Sequence, residues 1–244
     1  MKQQTNIVEY SLTAEAFNWE IKPGKTIQAW GFNKQLPGPL LRARKGDTLV
    51  IHVENKLTEP ILIHWHGLRV PAVMDGHDEV QKPIQPGEKF QYRFEVPDSG
   101  TYWYHSHQNE TIQMERGLYG GIVIRDDEET LIVDKERVFM IDDMKLTDNS
   151  EFKRAGWFGR WKERHDGREG STNLLNGRED LKIDVHAGQT ERWRFINAAS
   201  ARYFQLSLGG RPFRIIATDG NLLEEPVTVS ELLITPGERY DILS

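Results

Sequence analysis

Short segments in which apolar and polar residues alternate recur along the chain, and this period of two predicts β-strands rather than helices. Residues 7–14, 48–55 and 90–96 show the pattern most clearly, and each is rich in β-branched or aromatic residues. Turn sequences containing glycine, proline or aspartate separate such segments at intervals of roughly 8–12 residues. The pattern therefore predicts an all-β chain organised as a β-sandwich or a barrel.

Two strand-and-turn elements recur in the same order, which predicts that the sandwich is duplicated. Residues 45–55 match residues 187–197 in spacing, and residues 86–92 match residues 236–242. The identity at each position is low, but the order of the elements and the chemistry of their turns agree. We therefore expect two similar domains in tandem.

A run of four acidic residues, 126–129, has the composition of a solvated linker, so we predict domains at 1–127 and 128–244. In the first copy, the strand that follows Pro86-Gly87-Glu88 is followed by two more strands, through Ile124. In the second copy, the equivalent strand already contains Ser244, the last residue. We therefore expect the second domain to be incomplete at its C-terminal end, and the chain to be a fragment of a longer protein.

Composition excludes several classes of function. The 244 residues include no cysteine, which rules out disulfides, catalytic thiols and the thiolate ligand that a blue-copper centre requires. The net charge of -6 gives no electrostatic basis for binding nucleic acid or an anionic membrane. No apolar run approaches the roughly 18 residues of a membrane span. The first residues lack the hydrophobic region of a signal peptide, so either the protein stays in the cytoplasm or a targeting segment lies outside this sequence.

Four of the eight histidines occur in two His-x-His pairs, and each pair follows an apolar, strand-like run. His64 and His66 flank Trp65, and His105 and His107 flank a serine. Because side chains alternate on a strand, each pair points to one face, with Cα atoms roughly 6.6 Å apart. We predict that the two strand ends converge, so that four imidazoles line one hollow and bind metal. Imidazole suits zinc as well as copper.

The remaining histidines and one basic segment carry weaker signals. We interpret His52 as a strand-surface residue, His165 as exposed, and His186 as part of a strand-to-turn junction. Basic and aromatic residues interleave at 153–162, a pattern that can stack a nucleobase or a ring substrate. We favour a long surface loop for this segment.

Taken together, five segments resemble the amino-terminal part of the multicopper oxidases, the family that includes laccases and bacterial copper efflux oxidases. They are His64-Trp65-His66-Gly67, Asp75-Gly76, 83–87, 100–107 and 117–121. The resemblance is dense over residues 36–125 and continues more thinly through 175–178 and 235–241. It implies a fold of cupredoxin-like Greek-key β-sandwich domains, in agreement with the predicted strands.

The resemblance also implies roles for individual residues. His64 would bind the type 2 copper of a trinuclear cluster, and His66, His105 and His107 would bind the type 3 copper pair. Asp75 matches an acidic residue that the family places near the cluster, where it handles protons while O2 is reduced to water. An Asp-Gly turn is the alternative interpretation of Asp75.

The chain departs from the family pattern in ways that limit its chemistry. The complete cluster uses eight histidines from four motifs, and this chain has two motifs and no cysteine for a type 1 copper. The resemblance implies an oxidase that couples one-electron oxidation of a phenolic or metal-ion substrate to the reduction of O2. We expect the chain alone to be inactive and to need the missing C-terminal cupredoxin domain, or an equivalent chain, as its partner.

Other interpretations stay open. The chain can be a copper-binding module or a split subunit, or a cupredoxin-fold protein without catalysis, although the intact histidine pairs argue against the last. A two-domain nitrite reductase is disfavoured because it also needs a cysteine ligand. The family is usually periplasmic or extracellular, and nothing in these residues shows export.

Overall fold

The computed structural model describes residues 6–152 and 167–244. The chain divides into two compact units, one formed by Met1–Trp19 and Gln28–Glu129 and the other by Glu20–Ile27 and Thr130–Ser244. The basic and aromatic segment at 153–162 and His165 lie outside the described residues, so the predictions made for them stay predictions.

Short strands dominate the chain as far as Arg125. They are β1 (Ile7–Lys22), β2 (Lys25–Phe32), β3 (Gly38–Arg44), β4 (Thr48–Asn55), β5 (Ile63–His66), β6 (Lys89–Glu95), β7 (Gly100–Ser106) and β8 (Tyr119–Arg125). A 3₁₀ helix, Ala72–Met74, lies between β5 and β6, and helix α1 (Glu110–Glu115) lies between β7 and β8. The alternating segments at 7–14 and 48–55 thus fall in β1 and β4, and the segment at 90–96 falls in β6 except for its last residue, as predicted.

The first unit is a sandwich of two four-stranded sheets, ordered β2-β1-β4-β6 and β3-β8-β7-β5. Strand β4 pairs in parallel with β1 and antiparallel with β6, and β8 pairs in parallel with β3 and antiparallel with β7. Ile51 and Tyr92 of one sheet and Trp65 and Tyr104 of the other belong to a single buried core. Burying a large apolar side chain contributes about 1.5–3 kcal/mol, which explains why every second strand residue is apolar.

The second unit also consists of two sheets that share one core, although its strands are divided unequally between them. Its strands are β9 (Lys135–Met144), β10 (Thr172–Leu175), β11 (Glu191–Asn197), β12 (Phe204–Ser207), β13 (Phe213–Thr218), β14 (Asn221–Val229), β15 (Glu231–Ile234) and β16 (Arg239–Leu243). A six-stranded sheet has the order β10-β9-β11-β16-β13-β14, and β12 pairs with β15. Trp193 and Ile242 of the larger sheet share a buried core with Leu232 and Ile234 of the smaller one.

An asparagine ends the central strand of each unit and organises the corner that follows. The side-chain amide of Asn55 donates to the carbonyls of Glu59 and Ile84, both at 2.9 Å, and its Oδ1 accepts from the backbone N–H of Leu57. The backbone carbonyl of Asn55 also accepts from the N–H of Gly87 at 2.7 Å. Because the three side-chain bonds are buried or partly buried, the carboxamide satisfies polar atoms that would otherwise lack partners.

Asn197 makes the same set of bonds in the second unit. Its amide donates to the carbonyls of Arg202 and Ile234, its Oδ1 accepts from Ala199, and its carbonyl accepts from Gly237. Strand β11 pairs in parallel with β9 and antiparallel with β16, as β4 does with β1 and β6. The predicted duplication is therefore confirmed in both strand pairing and corner chemistry.

The described chain is all-β apart from short helical segments. Over the described residues, no helix combines the length and the apolar character that crossing a membrane requires.

Candidate metal centre

Strands β5 and β7 bring the two histidine pairs together, because they are antiparallel neighbours in one sheet. His64 lies directly opposite His105, and His66 lies opposite Trp103. His64 and His66 share one face of β5, whereas Trp65 between them is buried in the sandwich core. The prediction that these distant strand ends converge is confirmed.

The imidazole rings form one cluster. The ring centroid of His64 lies 5.6 Å from that of His66 and 5.3 Å from that of His105, and the last two are 5.7 Å apart. One ligand nitrogen from each of these rings lies within 4.8 Å of the others. His107 lies outside this group of three nitrogens, although its ring centroid is 5.5 Å from that of His64.

The loop after β5 folds back along the strand and places Asp75 beside His64. The indole Nε1 of Trp65 donates to the carbonyl of Met74 at 3.0 Å. The Nδ1 of His64 lies 3.0 Å from the carbonyl oxygen of Asp75 and 3.1 Å from its carboxylate Oδ1. Trp65 and His64 of β5 thus hold Met74 and Asp75 of the loop. This places the Asp75 carboxylate at the edge of the cluster.

Gly76 allows the loop to come this close. Its φ is +72°, a conformation that favours glycine. A Cβ at this position would lie 2.1 Å from the carbonyl oxygen of Ile63, inside any van der Waals contact. Local packing therefore requires glycine at position 76 of this turn. Asp75, in the same turn, places its carboxylate beside His64.

Helix α1 ties together the ends of the two histidine strands. Ser106 Oγ donates to Gln113 Oε1, and the Gln113 amide donates to the carbonyl of Pro60 at 2.9 Å. The backbone N–H of His107 donates to the carbonyl of Leu62 at 2.8 Å. Because these bonds join the start of β5 to the end of β7, they maintain the register on which the cluster depends.

His105 is the most enclosed member, with 3% of its side chain exposed against 26% for His64. Its Nδ1 lies 3.1 Å from the carbonyl oxygen of Ser106, which can only accept, so Nδ1 carries the proton. Burial, reinforced by the neighbouring imidazoles, lowers the pKa of His105 well below its ordinary value because the charged form is penalised. The ring is therefore neutral, with a lone pair on Nε2.

The Nε2 of His105 is buried without a hydrogen-bond partner among the residues that the structure describes. Leaving such an acceptor unpaired costs about 1–3 kcal/mol, and a bound metal ion would remove the deficit. A neutral imidazole anchored through its other nitrogen is the form in which histidine binds metals, and His64 is anchored in the same way by Asp75. These donors fit copper and, as imidazoles, also zinc.

Three residues beside the cluster escaped the sequence analysis. The Trp103 indole stacks on the His105 ring, with centroids 4.3 Å apart. Glu110 Oε1 lies 3.5 Å from His105 Nδ1, and the ring centroid of His77 lies 5.7 Å from that of His107. The period-two pattern of β7 could have placed Trp103 on the histidine face. Glu110 begins helix α1, and His77 lies in a loop. The period-two pattern of a strand applies to neither residue.

Two further histidines lie apart from the metal-ligand group identified among the described residues. His52 is exposed on β4, 3.9 Å from the carboxylate of Glu9, as expected for a strand-surface residue. His186 is exposed, and its carbonyl accepts from the N–H of Gln189 in a turn.

Comparison with known proteins gives the family. Two family models, both described as multicopper oxidase, match residues 13–129 and 94–244. The copper resistance protein A of Escherichia coli is 34% identical over an alignment that covers 90% of this chain and 43% of that protein. The chain belongs to the multicopper oxidase family.

Solved structures agree with this assignment. A multicopper oxidase from Pseudomonas thermotolerans matches with a TM-score of 0.90 and 33% identity, covering 98% of this chain and 58% of that one. A multicopper oxidase from Campylobacter jejuni matches with a TM-score of 0.88 and 35% identity, covering 99% and 50%. The predicted fold of cupredoxin-like sandwiches is thus confirmed, and the chain spans about half the length of these relatives.

Proposed function

We propose that the chain supplies half of the histidine ligands of a trinuclear copper cluster in a multicopper oxidase. In this proposal His64 binds the type 2 copper, and His66, His105 and His107 bind the type 3 pair. The observation that supports it most is the buried Nε2 of His105, which has no hydrogen-bond partner in the part of the chain that the structure describes. A ligand atom of this ring lies close to those of His64 and His66. When bound, copper supplies the one-electron redox chemistry that couples oxidation of a phenolic or metal-ion substrate to reduction of O2 to water.

Asp75 is proposed to handle protons beside this cluster. Reducing O2 to water consumes four protons, and a carboxyl group in contact with both solvent and the cluster can relay them. The Asp75 side chain is 37% exposed, and its Oδ1 lies 3.1 Å from His64 Nδ1. In this role the carboxylate takes up a proton from solvent at an oxygen atom and passes it inward. The Asp75 carbonyl meanwhile keeps the His64 proton on Nδ1, so that Nε2 stays available to the metal.

The complete activity requires groups that these residues do not provide. The chain has two of the four family histidine motifs and no cysteine. We assign the remaining ligands and the type 1 copper to a further cupredoxin domain or to a separate chain, on which oxidation of the substrate depends. The relative from Campylobacter jejuni is described as a metallo-oxidase, which supports keeping a metal ion, beside a phenol, among the candidate reducing substrates.

The second candidate function is a copper-binding module without turnover. One observation favours it: ligand nitrogens of three histidines already lie within 4.8 Å of one another in a single unit of this chain. Such a site can hold one metal ion without contributions from elsewhere. The two functions differ in whether a partner carrying the other two motifs adds oxidase activity.

The test of the site is a copper titration of the purified chain and three variants. We expect His64→Ala and His105→Ala each to weaken copper binding at least about tenfold, because each removes a direct ligand. His52→Ala is the matched control, since it removes an exposed histidine from a strand of the same unit. Equal stoichiometry and affinity in all three variants would contradict the assignment. A parallel titration with zinc shows whether copper is preferred.

A further inference from the structure

We propose that Trp103 is a positioning residue that sets the ring planes of two metal ligands, His66 and His105. This inference deepens the proposed copper site and rests on it. Neither the histidine motifs nor the family comparison assigns Trp103 a role.

The strand register brings the indole into contact with both ligands. Trp103 lies opposite His66 in the β5–β7 ladder and two residues before His105 on the same face of β7. Its centroid is 4.3 Å from that of His105 with an interplanar angle of 28°, and 4.9 Å from that of His66 with an angle of 31°. One rigid aromatic plate therefore lies against ligands from two different strands.

The neighbouring strand makes room for this arrangement. On its other side β7 pairs with β8, and the residue opposite Trp103 there is Gly121. With no side chain at that position, a large indole fits beside the histidine face, and Trp103 is only 2% exposed. Enclosure on this scale restricts the indole to one orientation, and the rings that stack on it are restricted in turn.

Fixing the ring planes has a direct consequence for metal binding. An imidazole rotates about two side-chain bonds, and binding a metal in one orientation requires that freedom to be lost. A ring that is already held in place loses less conformational freedom when the metal binds. Residues that contact the ligands but not the metal raise metal affinity in this way. Trp103 acts in this way on one ligand from each strand, His66 from β5 and His105 from β7.

The contacts that Trp103 makes with the two ligands come from its ring and not from its N–H group. Trp103 Nε1 is buried and has no hydrogen-bond partner among the residues that the structure describes. Burying an N–H group in this state costs about 1–3 kcal/mol, a cost that a phenylalanine would not incur. Trp103→Phe would keep a ring face against the two histidines and remove this cost, so the contribution of the ring faces can be measured separately from that of the N–H group.

The test compares two substitutions of Trp103 with a control on the same strand. Trp103→Phe retains a flat ring, and Trp103→Leu removes it. The control is Tyr102→Leu, which also truncates a buried aromatic residue of β7 but on the face that packs into the sandwich core. The measurements are the dissociation constant for Cu(II) and, by pulsed electron paramagnetic resonance, the number of imidazoles bound to it. Thermal unfolding of each variant separates loss of stability from loss of affinity.

We expect Trp103→Leu to weaken copper binding about tenfold or more and to reduce the number of coordinated imidazoles. Trp103→Phe should restore both values close to those of the parent. Tyr102→Leu should lower thermal stability while leaving copper affinity and coordination unchanged. Parent-like binding by Trp103→Leu would overturn the proposal, and so would equal weakening by Trp103→Phe or by Tyr102→Leu.

A His105→Ala variant measured alongside separates this inference from the proposed function. If His105→Ala weakens copper binding and Trp103→Leu does not, only the role of Trp103 is lost. If His105→Ala binds copper like the parent, the copper site itself is wrong, and the role of Trp103 is lost with it.

Discussion

His64 on β5 and His105 on β7 are direct partners across an antiparallel ladder, with ring centroids 5.3 Å apart. Side chains at directly opposed positions have Cβ atoms about 4.5–5.5 Å apart whatever their identity. The sheet itself therefore sets the separation of these two ligands before any metal binds. It follows that the Asp75-Gly76 loop and the Asn55 corner, which belong to the same unit, also affect the site.

The purified chain should show no oxidase turnover and no intense blue absorption when loaded with copper. The absorption requires a cysteine ligand, and the sequence contains none. Without that centre, electrons from an organic reductant have no entry point. The measurement is oxidation of a phenolic dye together with a visible spectrum at saturating copper. Turnover without any second chain would contradict both the proposed dependence on further ligands and this prediction.

Substituting Gly76 should disturb the site as well as the fold. Gly76→Ala places an alanine at a positive φ, and its Cβ would lie 2.1 Å from the Ile63 carbonyl oxygen. We therefore expect the free energy of unfolding to fall by about 2–4 kcal/mol. The loop must then move, which separates Asp75 from His64 and weakens copper binding.

The matched control for this loop is Gly87→Ala. Gly87 also has a positive φ, +83°, but a Cβ there meets none of the described residues within 4 Å. Only backbone strain, a loss of about 1–2 kcal/mol of stability, is therefore expected. Denaturant unfolding measures both values. Equal losses in the two variants would show that the Gly76 contact carries no energetic weight.

Removing the corner asparagines should destabilise each unit separately. Asn55→Ala removes the side-chain partner of the Leu57 N–H and of two carbonyls. Asn197→Ala removes the corresponding bonds in the second unit. We expect each variant to lower the free energy of unfolding by about 2–4 kcal/mol. Hydrogen exchange should accelerate in β4 and β6 for the first variant and in β11 and β16 for the second. Asn173→Ala, which removes an exposed asparagine from β10, is the control and should change neither the stability nor the hydrogen-exchange rates of these strands. A uniform acceleration in all three would count against the corner bonds.

The ion pair of Glu191 should produce a distinct acid response. A hydrogen bond from Arg137, helped by one from Trp193, lowers the pKa of Glu191 from 4.5 to about 2. Between these two pH values the unfolded chain binds the proton and the folded chain does not. The stabilisation is therefore complete above pH 4.5 and is lost as the pH falls toward 2.

Glu191→Gln removes this contribution, so its stability should decline less steeply over the same interval. Glu224→Gln, an exposed glutamate of β14, should follow the parent. Denaturant midpoints measured across the acid range provide the comparison. If the stability of the parent and that of Glu191→Gln decline in parallel as the pH falls, the acid response does not come from the Glu191 ion pair.

The sequence was sufficient for features that depend on neighbours along the chain. Alternation predicted the strands, because a half-buried sheet requires apolar residues at every second position. The repeated Asn and Pro-Gly-Glu positions predicted the duplication, since the same corner bonds need the same residues. The spacing of His64 and His66 placed both on one face, since the strand period is two.

Only the tertiary structure decided how the site is assembled. The pairing of β5 with β7 joins residues about forty positions apart, and it determines that His64 meets His105. The burial of His105 and the stack on Trp103 depend on every strand around them. His107 lies beyond the end of β7 and falls outside the group of three ligand nitrogens, although His105 of the same His-x-His pair belongs to it. Distances and burial are set by packing among distant segments, which local patterns do not encode.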